Sequence, residues 1–218
     1  MLAQCQFGKK QPDSPTNGWK FTLNQVGTPF ADRTAALLAG GEYAVALAEK
    51  DLENRIKEYE EKKKSAAKTK SRLDNNQVGF KPILYREYCG KICCIASGKD
   101  KSKFYYQREL KGNLAIPGVD GGSCNMTGAP QCNDDDKPVG SYHNHPPSYT
   151  RARLMDDDKK GARDGKPPYG ERVFPGGPEG MPKNQPISVT QRDQDGTFST
   201  QIYDPSAPVG GQIQNFEH

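Results

Sequence analysis

The chain has 218 residues, only 33% of them hydrophobic, and its mean hydropathy is −0.90. It holds no apolar run of the roughly 18 residues that a membrane-crossing helix needs, and its opening residues lack the basic and apolar regions of a secretory signal, which argues against an integral membrane protein and a Sec-exported precursor. Its 31 basic and 27 acidic residues leave a net charge of +4, too balanced to point to nucleic acid.

Residues 1–28 are polar and punctuated by Pro12, Pro15, Gly18 and Gly27, and they read as an irregular lead-in. Thr28-Pro29 offers a hydroxyl N-cap followed by a proline in the first helical position. A first helix is expected from there to about Leu38, closed by Gly40-Gly41. A second, longer helix is expected over 42–72, which has no Gly or Pro. Val45, Ala48, Leu52, Ile56 and Tyr59 recur at three- and four-residue spacing and form its packing stripe. The basic run 62–72 suits the helix C-terminus, and without interleaved aromatic residues it lacks the stacking platform of a nucleic-acid surface. The helical segment is therefore 29–74.

From residue 75 the pattern changes. Segments 83–88 and 92–96 read as strands separated by Gly90, and 104–107 as a third. Residues 108–138 read as loop, 139–143 as a short extended stretch and 157–186 as a turn-rich connection. Segments 187–192 and 197–203 flank Asp193-Gln194-Asp195-Gly196, a hairpin signal. The expected class is α+β, a long N-terminal helix beside a mainly antiparallel sheet, with 75–218 forming the chemistry-bearing domain. The six cysteines, Cys5, Cys89, Cys93, Cys94, Cys124 and Cys132, contain no Cys-x-x-Cys pair, which removes zinc ribbons and thioredoxin-like motifs. Cys124 and Cys132 bracket a loop that could close as a disulfide; unpaired thiols are the alternative.

Of the three histidines, His143 and His145 stand two apart and His218 is the last residue. Residues i and i+2 of a strand share a face, so this pair presents two imidazoles side by side, a fit for one zinc ion. Incidental surface histidines are the competing account. A third ligand is sought in Asp156, Asp157 and Asp158, at what can be the start of a helix; a solvated acidic cluster is its alternative. Glu87 lies among apolar and aromatic neighbours, where a carboxylate can serve as general base. An outward strand residue paired with a lysine is the other reading.

The stretch Val139-Gly140-Ser141-Tyr142-His143-Asn144-His145-Pro146 resembles the metal-binding core of the JAB/JAMM (MPN+) metallopeptidase superfamily. More narrowly, it is similar to a divergent JAB-like domain at the C-termini of bacterial polymorphic toxins of the Rhs and type VI secretion kind. The family pattern is a Glu on an upstream strand, then His-x-His-Pro, then Ser/Thr-x-x-Asp. Arg86-Glu87-Tyr88-Cys89-Gly90 resembles the toxin group's Glu-Tyr-Gly segment, which implies Glu87 as general base. His143 and His145 match the zinc ligands, and the aspartate eleven positions after the second histidine is Asp156. Tyr105-Tyr106 resembles the group's aromatic strand, and Asp195-Gly196 with Tyr203-Asp204-Pro205 its closing hairpin, so the resemblance spans about 81–205. One position departs: Arg153 stands where the family has Ser/Thr, which implies a gap in the alignment, a substitute in Arg153, Ser148 or Thr150, or an altered catalytic domain.

The resemblance implies a JAB/cytidine-deaminase-like fold and a zinc-dependent amide hydrolase, a peptidase or isopeptidase. Its expected setting is a secreted effector, made in the cytoplasm without a signal peptide and delivered by a specialised secretion system. Expected partners are a protein or peptide substrate and an immunity protein, with no nucleic acid and no membrane span. The alternatives are a non-catalytic JAB-like binding module whose long helix docks a partner, and a metal-dependent nuclease toxin. The letters His143-Asn144-His145 coincide with the HNH name without that motif's longer ββα spacing. Zinc deaminases are excluded by the absence of His-x-Glu and Pro-Cys-x-x-Cys.

Overall fold

The computed structural model describes residues 26–68, 85–115, 124, 130–147, 151–154, 156–164, 184–193 and 195–218. The lead-in up to residue 25, Ser148, Thr150 and most of the turn-rich connection lie outside the described residues.

The chain enters as an extended segment, not as a helix. Phe30 exchanges two backbone hydrogen bonds with Phe104, at 2.6 and 2.9 Å, so Thr28-Pro29 precedes a β-bridge. The cap is Asp32, whose Oδ1 accepts the Ala35 amide at 2.8 Å, the side-chain-to-N3 bond of an N-capping aspartate. Helix α1 (Arg33–Lys68) then runs for 36 residues without interruption, about 54 Å at 1.5 Å per residue.

The expected break at Gly40-Gly41 does not occur, because these glycines serve packing. A Cβ on Gly40 would lie 2.7 Å from the Tyr142 ring, and one on Gly41 would lie 1.9 Å from Thr190 Oγ1. The missing side chains let α1 settle directly on the sheet. Its buried face, with Leu37, Tyr43, Ala44 and Ala48, packs against Tyr88, Ile92, Tyr106 and Tyr142. Beyond Leu52 the helix is mostly exposed, so only the first half of the predicted stripe is core.

Gly41→Ala should therefore destabilise the protein. Helix propensity alone would favour alanine by about 1 kcal/mol. Thr190 cannot yield, however: it is wholly buried and hydrogen-bonded to Thr200 at 2.8 Å. Overpacking of this kind costs about 1–3 kcal/mol, so the urea midpoint should fall; a rise would mean that the helix does not seat here.

The sheet comprises β1 (Tyr85–Cys94), β2 (Phe104–Tyr106), β3 (Leu110–Ala115), β4 (Lys137–Asn144), β5 (Ile187–Arg192), β6 (Phe198–Tyr203) and β7 (Ile213–Glu217). The order is β2-β1-β4-β5-β6-β7, with β3 also paired to β1. Every pairing is antiparallel except β4 with β5, which is parallel. The connection between those two carries helix α2 (Asp156–Asp164), as a parallel pair requires a crossover. The molecule is thus α+β, a helix on a mainly antiparallel sheet.

Three parts of the sheet differ from the sequence reading, one of them β7, in a segment where no strand was expected. The stretches expected as separate strands around Gly90 form one strand, β1. Gly90 sits in it because a Cβ there would lie 2.2 Å from the Tyr142 hydroxyl, and that hydroxyl donates to the Gln107 carbonyl at 2.7 Å. Strand β3 falls in the region read as loop; its sequence, LKGNLA, has a weak alternation and a glycine.

Alternation divides the sheet into two faces. Tyr88, Gly90, Ile92, Tyr142, Ser188 and Thr190 look toward α1. Glu87, Cys89, Cys93, His143, Ile187 and Val189 look the other way, where Ala152, Leu154 and Tyr203 join Ile187 and Val189 in a second small core. The proposed Cys124–Cys132 bridge is not formed. Cys124 pairs with Cys89 and Cys132 with Cys93, so each end of the loop is tied to β1, on the face away from α1. Cys94 is also disulfide-bonded.

Candidate metal centre

Strand β4 is buried from Val139 onward, and it delivers both imidazoles to the face opposite α1. His143 is 1% exposed and His145 8%. Their Nε2 atoms face each other at 3.3 Å, with ring centroids 5.0 Å apart. Asp158 of α2, wholly buried, brings Oδ2 to 3.9 Å from His143 Nε2. One ligand atom from each of the three lies within 4.8 Å of the others, the one such trio found among the described residues.

Burial pushes both imidazoles down to about 3. For His143 the Ser188 backbone, a hydrogen-bond partner of the ring, opposes this in part; for His145 the neighbouring His143 adds to it and Asp158 opposes it. Both rings are therefore neutral, the form that binds metals. Two neutral nitrogens at 3.3 Å can share a proton or direct their lone pairs at one ion. Bonds of 2.0–2.1 Å in a tetrahedron separate two ligand nitrogens by about 3.3–3.4 Å, so the observed spacing fits that ion without rearrangement. The carboxylate is slightly long for such a trio and sits on a different element, which can close by a side-chain rotation.

The aspartate beside the imidazoles is Asp158, not Asp156. Asp156 begins α2, is fully exposed and pairs with Lys159 at 3.5 Å. The count from the second histidine selects Asp156, whereas the helix turns Asp158 and Ala162 inward, Ala162 against the small core that holds Leu154. The four-residue spacing of Asp158 and Ala162 is the signal in the sequence that identifies the inward carboxylate. Arg153, three positions before Asp156, is exposed.

Glu87 is wholly buried. In the β1–β4 register Cys89 stands opposite His143; two residues further along each strand, the same face carries Glu87 and His145. On its other side β1 meets an irregularity of β3: the pairing shifts between Arg86 and Tyr88, so Gly112 and Asn113 stand opposite the single residue Glu87. A bulge bends the strand that carries the extra residue, which here is β3, directly across from the carboxylate-bearing position. β4 and α2 thus group two neutral imidazoles and one carboxylate, and buried Glu87 lies on the same sheet face of the neighbouring strand β1.

No protein-family model, curated protein or solved structure matches the chain.

Proposed function

We propose that this protein is a zinc-dependent amide hydrolase of JAB/JAMM-like character, a peptidase or isopeptidase, acting as a delivered bacterial effector. The observation that carries the reading is the trio His143, His145 and Asp158 with Glu87 on the same sheet face. A zinc ion held by the trio would supply Lewis acidity toward a carbonyl and an acidified water. The residues do the rest. His143 and His145 remain neutral and fix two ligand directions, while Asp158 contributes the negative charge that offsets the ion's.

Glu87 would accept a proton from the attacking water at its carboxylate and return it to the departing nitrogen. Its burial withholds competing solvent and favours such exchange. The disulfides of β1 support an oxidising destination, consistent with delivery outside the producing cell, and no helix among the described residues is long and apolar enough to cross a membrane.

The test is hydrolysis by the purified full chain against a peptide and ubiquitin-like isopeptide panel, read as new amine termini by mass spectrometry. Chelation should remove the activity and stoichiometric zinc restore it. Cleavage that persists in the dialysed, chelated protein would contradict the reading.

A further inference from the structure

We propose that Asn144 is the positioning residue that holds Glu87 in place beside the metal centre; this inference rests on Glu87 being the base. Asn144 stands between the two histidines, wholly buried, and its side chain points to the opposite sheet face. Its Oδ1 accepts the Tyr88 amide at 2.7 Å and its Nδ2 donates to the Arg86 carbonyl at 3.2 Å. The two groups it grips are the main-chain neighbours on either side of Glu87. An N–H on one side and a C=O on the other also fix which end of the amide is oxygen.

The backbone requires such a clamp at this point. Beyond Asn144, strand β4 follows β5, since the His145 amide donates to the Thr190 carbonyl at 3.0 Å. Continuing the β1–β4 register sets Pro146 opposite Arg86, and proline has no N–H to offer that carbonyl. The ladder ends at Cys89 and His143, and Pro146 gives it no donor with which to resume at Arg86. The Asn144 carboxamide supplies the missing donor and an acceptor in its place, filling the gap that opens where the imidazoles and Glu87 need room. One residue thereby couples the spacing of the metal ligands to the position of the base. β3 pairs with Arg86 and Tyr88 but shifts register at Glu87 itself, so the clamp restrains the peptide groups flanking Glu87 from the β4 side.

The test uses the full chain loaded with cobalt(II), whose visible bands report the ion's solvent side, together with hydrogen exchange of the metal-free protein. Asn144→Ala should still bind one cobalt, raise the exchange rate of the Tyr88 amide by at least about tenfold, and alter the cobalt bands in the way Glu87→Gln alters them. Combining the two substitutions should add nothing further. Asn144→Asp keeps the acceptor for Tyr88 and the residue volume but sets an oxygen against the Arg86 carbonyl, so it should protect the Tyr88 amide while still altering the bands, and it is the second variant that tests the Arg86 half of the clamp. A parent that binds no cobalt overturns the metal-centre reading and this inference with it. A parent whose bands respond to Glu87→Gln but not to Asn144→Ala or Asn144→Asp overturns the clamp alone.

Discussion

Glu87→Gln should retain one zinc per chain and lose hydrolysis by about 10²–10⁴-fold, the usual contribution of a positioned general base. Glutamine matches glutamate in volume, so the packing around this wholly buried side chain is kept, and the metal ligands lie on other elements. The amide cannot take up a proton at the pH of the reaction. Replacing a buried carboxylate by a neutral group should also leave the folded state at least as stable, because the charge no longer has to be desolvated. Metal analysis and single-turnover assays on the same preparation separate the two effects. A variant that hydrolyses at the parent rate would remove Glu87 from the chemistry, and one that loses zinc as well would make it a ligand rather than a base.

The second large effect is on stability. Cys89–Cys124 closes a sequence separation of 35 residues and Cys93–Cys132 one of 39. In the chain-entropy account a loop of that size contributes about 4 kcal/mol, mainly by restricting the unfolded chain. For a protein of this length that corresponds to a fall in Tm of roughly 10 °C per bridge. Cys93→Ala with Cys132→Ala should show this fall and leave metal affinity unchanged, because Cys93 pairs with Pro138, away from the histidines. Cys89→Ala with Cys124→Ala should show the same fall and weaken metal binding too, since Cys89 stands directly opposite His143. Equal metal affinity in both double variants would mean that the bridge beside the centre does not support it.

The sequence is informative where a local rule and the tertiary context agree. The His143/His145 pair, the strands β5 and β6 and the turn between them follow from two-residue alternation and an Asp-Gly signal, and both are local. Glu87 could be singled out because a carboxylate amid tyrosines needs a reason to be there. The glycines misled for the opposite reason. Gly40, Gly41 and Gly90 look like breaks, yet each marks where another side chain, Tyr142 or Thr190, passes too close for a Cβ, and such contacts are set by residues 50–150 positions away.

The choice of aspartate failed in a similar way. Spacing from His145 selects Asp156, but which carboxylate faces inward is decided by the face α2 lays on β5, and that face is read from Ala162. The cysteine pairing was not legible either, because the partners of Cys124 and Cys132 lie on β1, 35 and 39 positions earlier in the chain, rather than across their own loop. The role of Asn144 needed two facts that lie far apart in the chain: the register of β1 on β4, and the missing N–H of Pro146.

The central claim, that β4 and α2 together hold one divalent ion, is tested most directly by metal analysis of the purified chain beside three single variants after dialysis against equal zinc. The parent and Asp156→Asn should each carry one zinc, because Asp156 faces solvent, whereas His143→Ala and Asp158→Asn should carry none. Zinc retained in full by both of those variants, or absent from the folded parent, would contradict the account.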